Sequence, residues 1–148
     1  MNWPVWVPIR DGDPRGLGLY LRHYSAKGTP RRRGNRFVGP GESLVLVTPQ
    51  LDAMFIWRHS TIPRKDQQVG VECYLFRNEG AALSSELIRE AVRLAWERWP
   101  AVRLWTYVNP RRIRSTNPGA CFRAAGWRRL PDSKHPKRGR LCVLELSV

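Results

Sequence analysis

Short, nearly uninterrupted apolar runs alternate along the chain with polar stretches punctuated by Gly and Pro, and one segment carries apolar residues at helical spacing over several turns. In that segment Leu87, Ile88, Ala91, Leu94, Ala95 and Trp99 recur on one side, with Arg89, Glu90, Arg93 and Glu97 elsewhere. The period predicts a long helix with Ser84 as its N-cap and Pro100 as its stop. Strands are predicted at 43–47, 53–57, 69–76, 102–108 and 141–146, where apolar runs lie between turn residues. Residues 3–9 alternate enough for a first strand, which Pro4 and Pro8 confine to a sheet edge. Asp13 followed by Pro14 predicts N-cap and first position of a short helix through about Tyr24, and another short helix is predicted at 120–125. Strands, one long helix and strands again imply a mixed α/β sheet, with a right-handed crossover between the strands flanking the long helix. Residues 25–41 are polar, basic and long enough for a functional loop.

Length and composition refine this picture. A chain of 148 residues with seven Trp and 42% apolar residues predicts one packed domain over 1–148. No apolar run approaches the roughly 20 residues of a membrane span, and the first residues lack the charged and apolar regions of a secretory signal. A soluble, cytoplasmic protein without a membrane partner is expected. Cys73, Cys121 and Cys142 have neither zinc-site spacing nor the density of a disulfide scaffold, so buried reduced thiols are expected. A nucleophilic Cys121, its pKa lowered by Arg123 and a helix start, is the minor alternative. His23, His59 and His135 are too scattered to define a metal site.

Charge changes the functional picture more. Lys and Arg total 26 against 12 acids, a net charge of +14, which predicts attraction to a polyanion. The excess is concentrated in Arg31, Arg32 and Arg33 with Arg36, in Arg111 and Arg112 with Arg114, and in Arg128 and Arg129 followed by Lys134, Lys137, Arg138 and Arg140. All three stretches contain Gly, Pro or Asn and read as loops, suited to phosphate contacts of a nucleic acid.

The junction between the fourth predicted strand and the long helix is the main candidate for chemistry. Free N–H groups at a helix start, with the helix dipole, favour a phosphate. Gly80 permits close backbone approach, Ala81 and Ala82 leave space, and Arg77 adds a positive side chain. An ordinary strand-to-helix turn has the same spacing. Glu72, on the strand entering this loop, is either a base whose pKa is raised by apolar neighbours or an outward-facing strand glutamate. His23, beside Tyr24, has an intrinsic pKa suited to proton transfer near neutrality. Tyr107 ends the next strand as an acid or a packing aromatic, and Asn117 precedes Pro118 and Gly119 as a helix cap or a ligand contact.

The strand, Arg77-x-x-Gly80-x-Ala82, helix and strand, followed by the segment Asn117-Pro118-Gly119-Ala120-Cys121-Phe122-Arg123-Ala124-Ala125-Gly126-Trp127, resemble the Gcn5-related N-acetyltransferase fold. The resemblance implies a mixed, mostly antiparallel twisted sheet with a long crossover helix after the fourth strand. It also implies acetyl-CoA or a related acyl-CoA held by Leu75, Phe76, Arg77, Gly80, Ala81 and Ala82, with Asn117 and Phe122. Phe122 stands where that family often has a Tyr acting as acid toward the leaving thiolate, so that role is vacant or filled elsewhere, with Tyr107 a candidate. His23-Tyr24-Ser25, the basic loop after it, and Thr106-Tyr107-Val108-Asn109-Pro110 resemble the phage-associated Mom group, acetyltransferase-like proteins that modify DNA bases. This implies an acyltransferase acting on an amino group of a DNA base in a bacterial cytoplasm, with His23, Tyr24, Glu72 and Tyr107 as catalytic candidates and the loop arginines on flanking phosphates. Trp and Tyr side chains are expected to stack on a flipped or single-stranded base. Two other readings stay open, an N-acetyltransferase of a protein or small amine and a nucleic-acid-binding protein that has lost catalysis. The transferred group, the base and the oligomeric state, a homodimer included, are not given by the sequence.

Overall fold

The computed structural model describes residues 4–23, 36–113 and 117–148. Its elements are β1 (Val7–Ile9), α1 (Pro14–Arg22), β2 (Glu42–Val47), β3 (Ala53–His59), β4 (Val71–Asn78), α2 (Ser84–Arg98), β5 (Leu104–Val108), α3 (Ala120–Ala124), β6 (Arg128–His135) and β7 (Gly139–Leu146). The strands form one sheet in the order β1-β2-β3-β4-β5-β7-β6. Every neighbouring pair is antiparallel except β4 with β5, which run parallel and are connected through α2. The chain is therefore a mixed α/β fold with a mostly antiparallel sheet.

Local chemistry explains most of these boundaries. Asp13 accepts a hydrogen bond from the Arg15 N–H, with Pro14 at the first helical position of α1, as the sequence predicts. The start of α2 differs. Leu83, with extended backbone, takes the cap position and its carbonyl accepts from Glu86 and Leu87, while Ser84 is already helical and its Oγ accepts from Asn78 Nδ2. The third basic stretch is also not all loop, because residues 128–135 form the edge strand β6. An edge strand of mostly solvent-facing residues needs no apolar alternation, and its Pro131 lies within a break in register between Leu130 and Ser133.

The core lies on both faces of the sheet. On β3, Phe55 and Trp57 pack with α2 and α3 residues such as Ile88, Ala91 and Phe122, whereas Met54 and Ile56 pack with Leu19 and Tyr20 of α1. Alternation of this kind puts the two groups on opposite sides. Trp57 also donates Nε1–H to the Ala91 carbonyl at 2.9 Å, tying α2 to the sheet centre.

Close approach at Gly70 holds the parallel pair. Its φ is +104°, and a Cβ there would lie 2.1 Å from the Arg103 carbonyl oxygen, which accepts from the Val71 N–H at 2.8 Å. Gly70→Ala is expected to destabilise the fold by about 1–3 kcal/mol or more, read as a lower urea midpoint. An unchanged midpoint would show that the β4–β5 junction relaxes freely.

Candidate active site

A bulge in β4 creates the site. β3 and β4 pair Ile56 with Leu75 but Trp57 with Cys73, so Tyr74 is skipped. One extra residue reverses the facing of the rest of the strand: Val71 and Cys73 pack on the α2 side, Leu75 packs on the α1 side, and Phe76 returns to the α2 side. The β4–β5 ladder ends at the same place, its last pair being Cys73 with Thr106, although β4 continues to Asn78 and β5 to Val108. Beyond that pair the strands enclose a cleft of about 870 Å³. Its walls come from both faces of the sheet, with Phe76, Thr106 and Phe122 on the α2 side and Arg58, Glu72 and Tyr107 on the other.

A charged network occupies the α1 side of the cleft. Glu72 is 9% exposed and accepts from Arg64 Nη1 at 3.1 Å, with Arg58 Nη1 at 3.9 Å from the same oxygen. Burial raises its pKa, and the two arginines oppose that rise without cancelling it. Glu72 is thus not an outward-facing strand residue. Arg64 also donates to Asp66 at 2.7 Å, and its guanidinium lies 4.8 Å from the Trp105 ring centroid. Tyr107 donates its hydroxyl to Asp66 at 3.0 Å, and burial together with the Asp66 charge raises the phenol's pKa, keeping it protonated at neutral pH. Partial burial works against the Asp66 charge, but Arg64, the Gln68 N–H and Tyr107 hold its pKa low.

The other predicted residues divide. His23 lines the cleft, but burial and the nearby Arg77 charge lower its pKa to about 4 despite a bond to the Phe76 carbonyl. It is neutral at pH 7, not poised to titrate there. Tyr24, Arg31, Arg32, Arg33 and Arg114 lie outside the described residues. Leu75, Phe76, Asn117 and Phe122 line the cleft; Arg77, Gly80, Ala81 and Ala82 do not, although Asn78 and Ser84 carry its wall to the start of α2. Arg77 is held by Glu79 at 2.5 Å and by the Arg22 carbonyl. The space at Gly80 is taken by Asp52, whose Oδ2 would be 2.2 Å from a Cβ, and the N–H groups of Gly80 and Glu79 already donate to Asn78 Oδ1 and to the Asp52 carbonyl. The loop is therefore less open to an anion than its spacing suggests.

Phe122 is buried edge-on against Trp127, with ring centroids 4.9 Å apart, and brings no proton to the cleft. Burial raises the Cys121 pKa, contrary to an activated thiol, and all three cysteines are free. Trp6, Trp57, Trp99, Trp105 and Trp127 are buried, and among the described residues the Tyr and Phe rings that line the cleft are Tyr74, Phe76, Tyr107 and Phe122. Arg36, Arg111 and Arg112 are exposed. Among the described residues no group of three or more His, Cys, Asp or Glu could hold a metal ion, and no helix is long and apolar enough to cross a membrane.

Sequence reasoning missed Arg58, Arg64 and Asp66, and it placed Arg138 in a basic stretch without bringing it to the cleft. The Arg58–Glu72 pair had a readable signal, opposite charges placed across neighbouring strands. Arg64 and Asp66, in the connection between those strands, had none. Comparison of the chain with protein-family models, with curated proteins and with solved structures returned no match.

Proposed function

We propose that the protein is an acyltransferase that uses an acyl-coenzyme A, or a related thioester, to modify an amino group of a DNA base. The observation that carries this reading is the cleft through the sheet beside a buried carboxyl of raised pKa. Walls drawn from both faces of the sheet give a donor and an acceptor different residues to rest on while their reacting atoms meet, the positioning that a two-substrate transfer needs. Leu75, Phe76, Asn117 and Phe122 suit the arm of the donor. Its diphosphate is assigned to the turn before α2, where it competes with Glu79 for Arg77 and Arg22.

In this reading the amine nitrogen attacks the thioester carbonyl, the carbon–sulfur bond breaks, Glu72 takes the proton lost by the amine, and Tyr107 protonates the departing thiolate in place of Phe122. The net charge of +14 favours nucleic acid as acceptor. Phe122 favours a second reading, a nucleic-acid-binding protein without catalysis. Mass spectrometry of nucleosides from DNA co-expressed with the protein distinguishes them: a new modified base supports transfer, and an unchanged profile with donor present favours binding alone.

Donor binding has its own check. Coenzyme A at about 100 times its Kd is expected to add roughly 2.7 kcal/mol of stability, visible as a higher melting temperature. Ala82→Glu puts a carboxylate on the exposed turn without the Asp52 clash that any side chain at Gly80 meets, and is expected to remove most of the shift. No shift in the unmodified protein would eliminate the donor assignment.

A further inference from the structure

Cations gather around the turn that joins β6 to β7. Lys134 stands directly opposite Arg140 in the strand register, and Lys137 and Arg138 occupy the turn. The Arg111 guanidinium, from the turn after β5, lies against Gly139, whose Cβ would be 2.6 Å from Nη2. Like charges facing each other across a ladder are destabilising. Among the described residues, Arg140 finds Asp132 at 3.9 Å, while Lys134, Lys137, Arg138 and Arg111 have no acid within ion-pair distance.

Protection of an exposed strand edge accounts for cations along β6. It does not account for those in the turn, which has no ladder to guard, or for Arg111, which belongs to another segment. The turn is also built rather than loose, since His135 Nδ1 accepts from the N–H groups of both Lys137 and Arg138 at 3.1 Å. Arg138 links the group to the cleft: its guanidinium lies 6.0 Å from the Tyr107 ring centroid and forms part of the cleft wall.

We infer that the β6–β7 turn, with Arg111, clamps the sugar–phosphate backbone of a nucleic acid beside the base that enters the cleft at Tyr107. The inference rests on the proposed DNA acceptor and adds the surface that holds it. A cluster of cations with no acid within ion-pair distance among the described residues apart from Asp132 beside Arg140, one of them lining the cleft, suits the closely spaced phosphates of a nucleic-acid strand. The clamp fixes the position of the strand; it does not read sequence.

The test is fluorescence anisotropy with a labelled oligonucleotide, single-stranded and duplex, across a salt series. Lys137→Glu and Arg138→Glu are each expected to weaken binding about fivefold or more at low salt and to lower the slope of log Kd against log salt by about 1. Arg10→Glu makes the same change of net charge just after β1, on the opposite edge of the sheet, and is expected to alter binding less than about twofold. Equal losses in all three variants, or none at Lys137 and Arg138, would overturn the clamp. Displacement of the oligonucleotide by polyglutamate as readily as by unlabelled oligonucleotide would overturn it too, making the partner an acidic polypeptide. All variants change exposed side chains, and unchanged melting temperatures certify their fold. The coenzyme A melting shift is read in parallel: if it is absent while the Lys137 and Arg138 losses hold, the donor assignment falls and the clamp stands.

Discussion

Glu72→Gln is expected to slow acyl transfer by about 10²- to 10⁴-fold while leaving oligonucleotide affinity within a factor of about two. The substitution keeps the size of the side chain and removes only its capacity to take a proton. Arg64 keeps Asp66 as its partner, and Arg58, which loses its carboxylate neighbour, keeps its bond to the Pro40 carbonyl. Because burial raises the carboxyl's pKa, the acid limb of kcat/KM for the proposed transfer by the unmodified protein is expected above the usual carboxylate range. The same shift has a stability consequence. A carboxyl that is harder to ionise when folded contributes stability that is fully present below its ordinary value of 4.5 and is lost as pH rises through its folded value. Glu72→Gln should therefore be at least as stable as the original at neutral pH, measured by urea unfolding. A variant that transfers at the original rate would reduce Glu72 to a structural partner of Arg58 and Arg64.

Acidification is expected to remove roughly 3 kcal/mol of stability through His23 alone. Above its ordinary value of 6.5 neither the folded nor the unfolded chain protonates this ring. Between 6.5 and about 4 the unfolded chain takes the proton and the folded chain does not, so stability drains as pH falls through that window. Below about 4 both states hold it and the loss stops growing. Carboxylates with lowered pKa values, Asp66 and Glu145 among them, lose their own contributions at lower pH. The discriminating quantity is thus the difference between the protein and His23→Gln, followed by urea unfolding from pH 7 to pH 4.5. Parallel curves for the two would mean that the buried ring is protonated without penalty.

The elements with an apolar face were legible from the sequence because burial leaves a periodic record. α2 could be read because Leu87, Ile88, Ala91 and Ala95 pack on the sheet, and β2 to β5 because both faces of a central strand are covered. β6 left no such record, since an edge strand satisfies its backbone on one side and shows most of its side chains to water. Of the residues that line the cleft, Glu72 and Tyr107 could be singled out because a charged or hydroxyl-bearing residue inside an apolar strand is conspicuous. Gly80 misled for a related reason: glycine marks crowding as well as openness, and Asp52, far earlier in the chain, does the crowding. His23 was singled out as a candidate and lines the cleft, but its titration depends on burial and on Arg77, which sequence spacing does not encode.

Tyr74 gives β4 a phase slip. In an unbroken strand Glu72 and Phe76, four residues apart, would share one face; with the extra residue between them they address opposite sides of the sheet. One strand thereby behaves as two short ones placed end to end, the first facing the charged network and the second facing α3. The position of Tyr74 in the chain, rather than the chemistry of its side chain, decides which residues meet in the cleft.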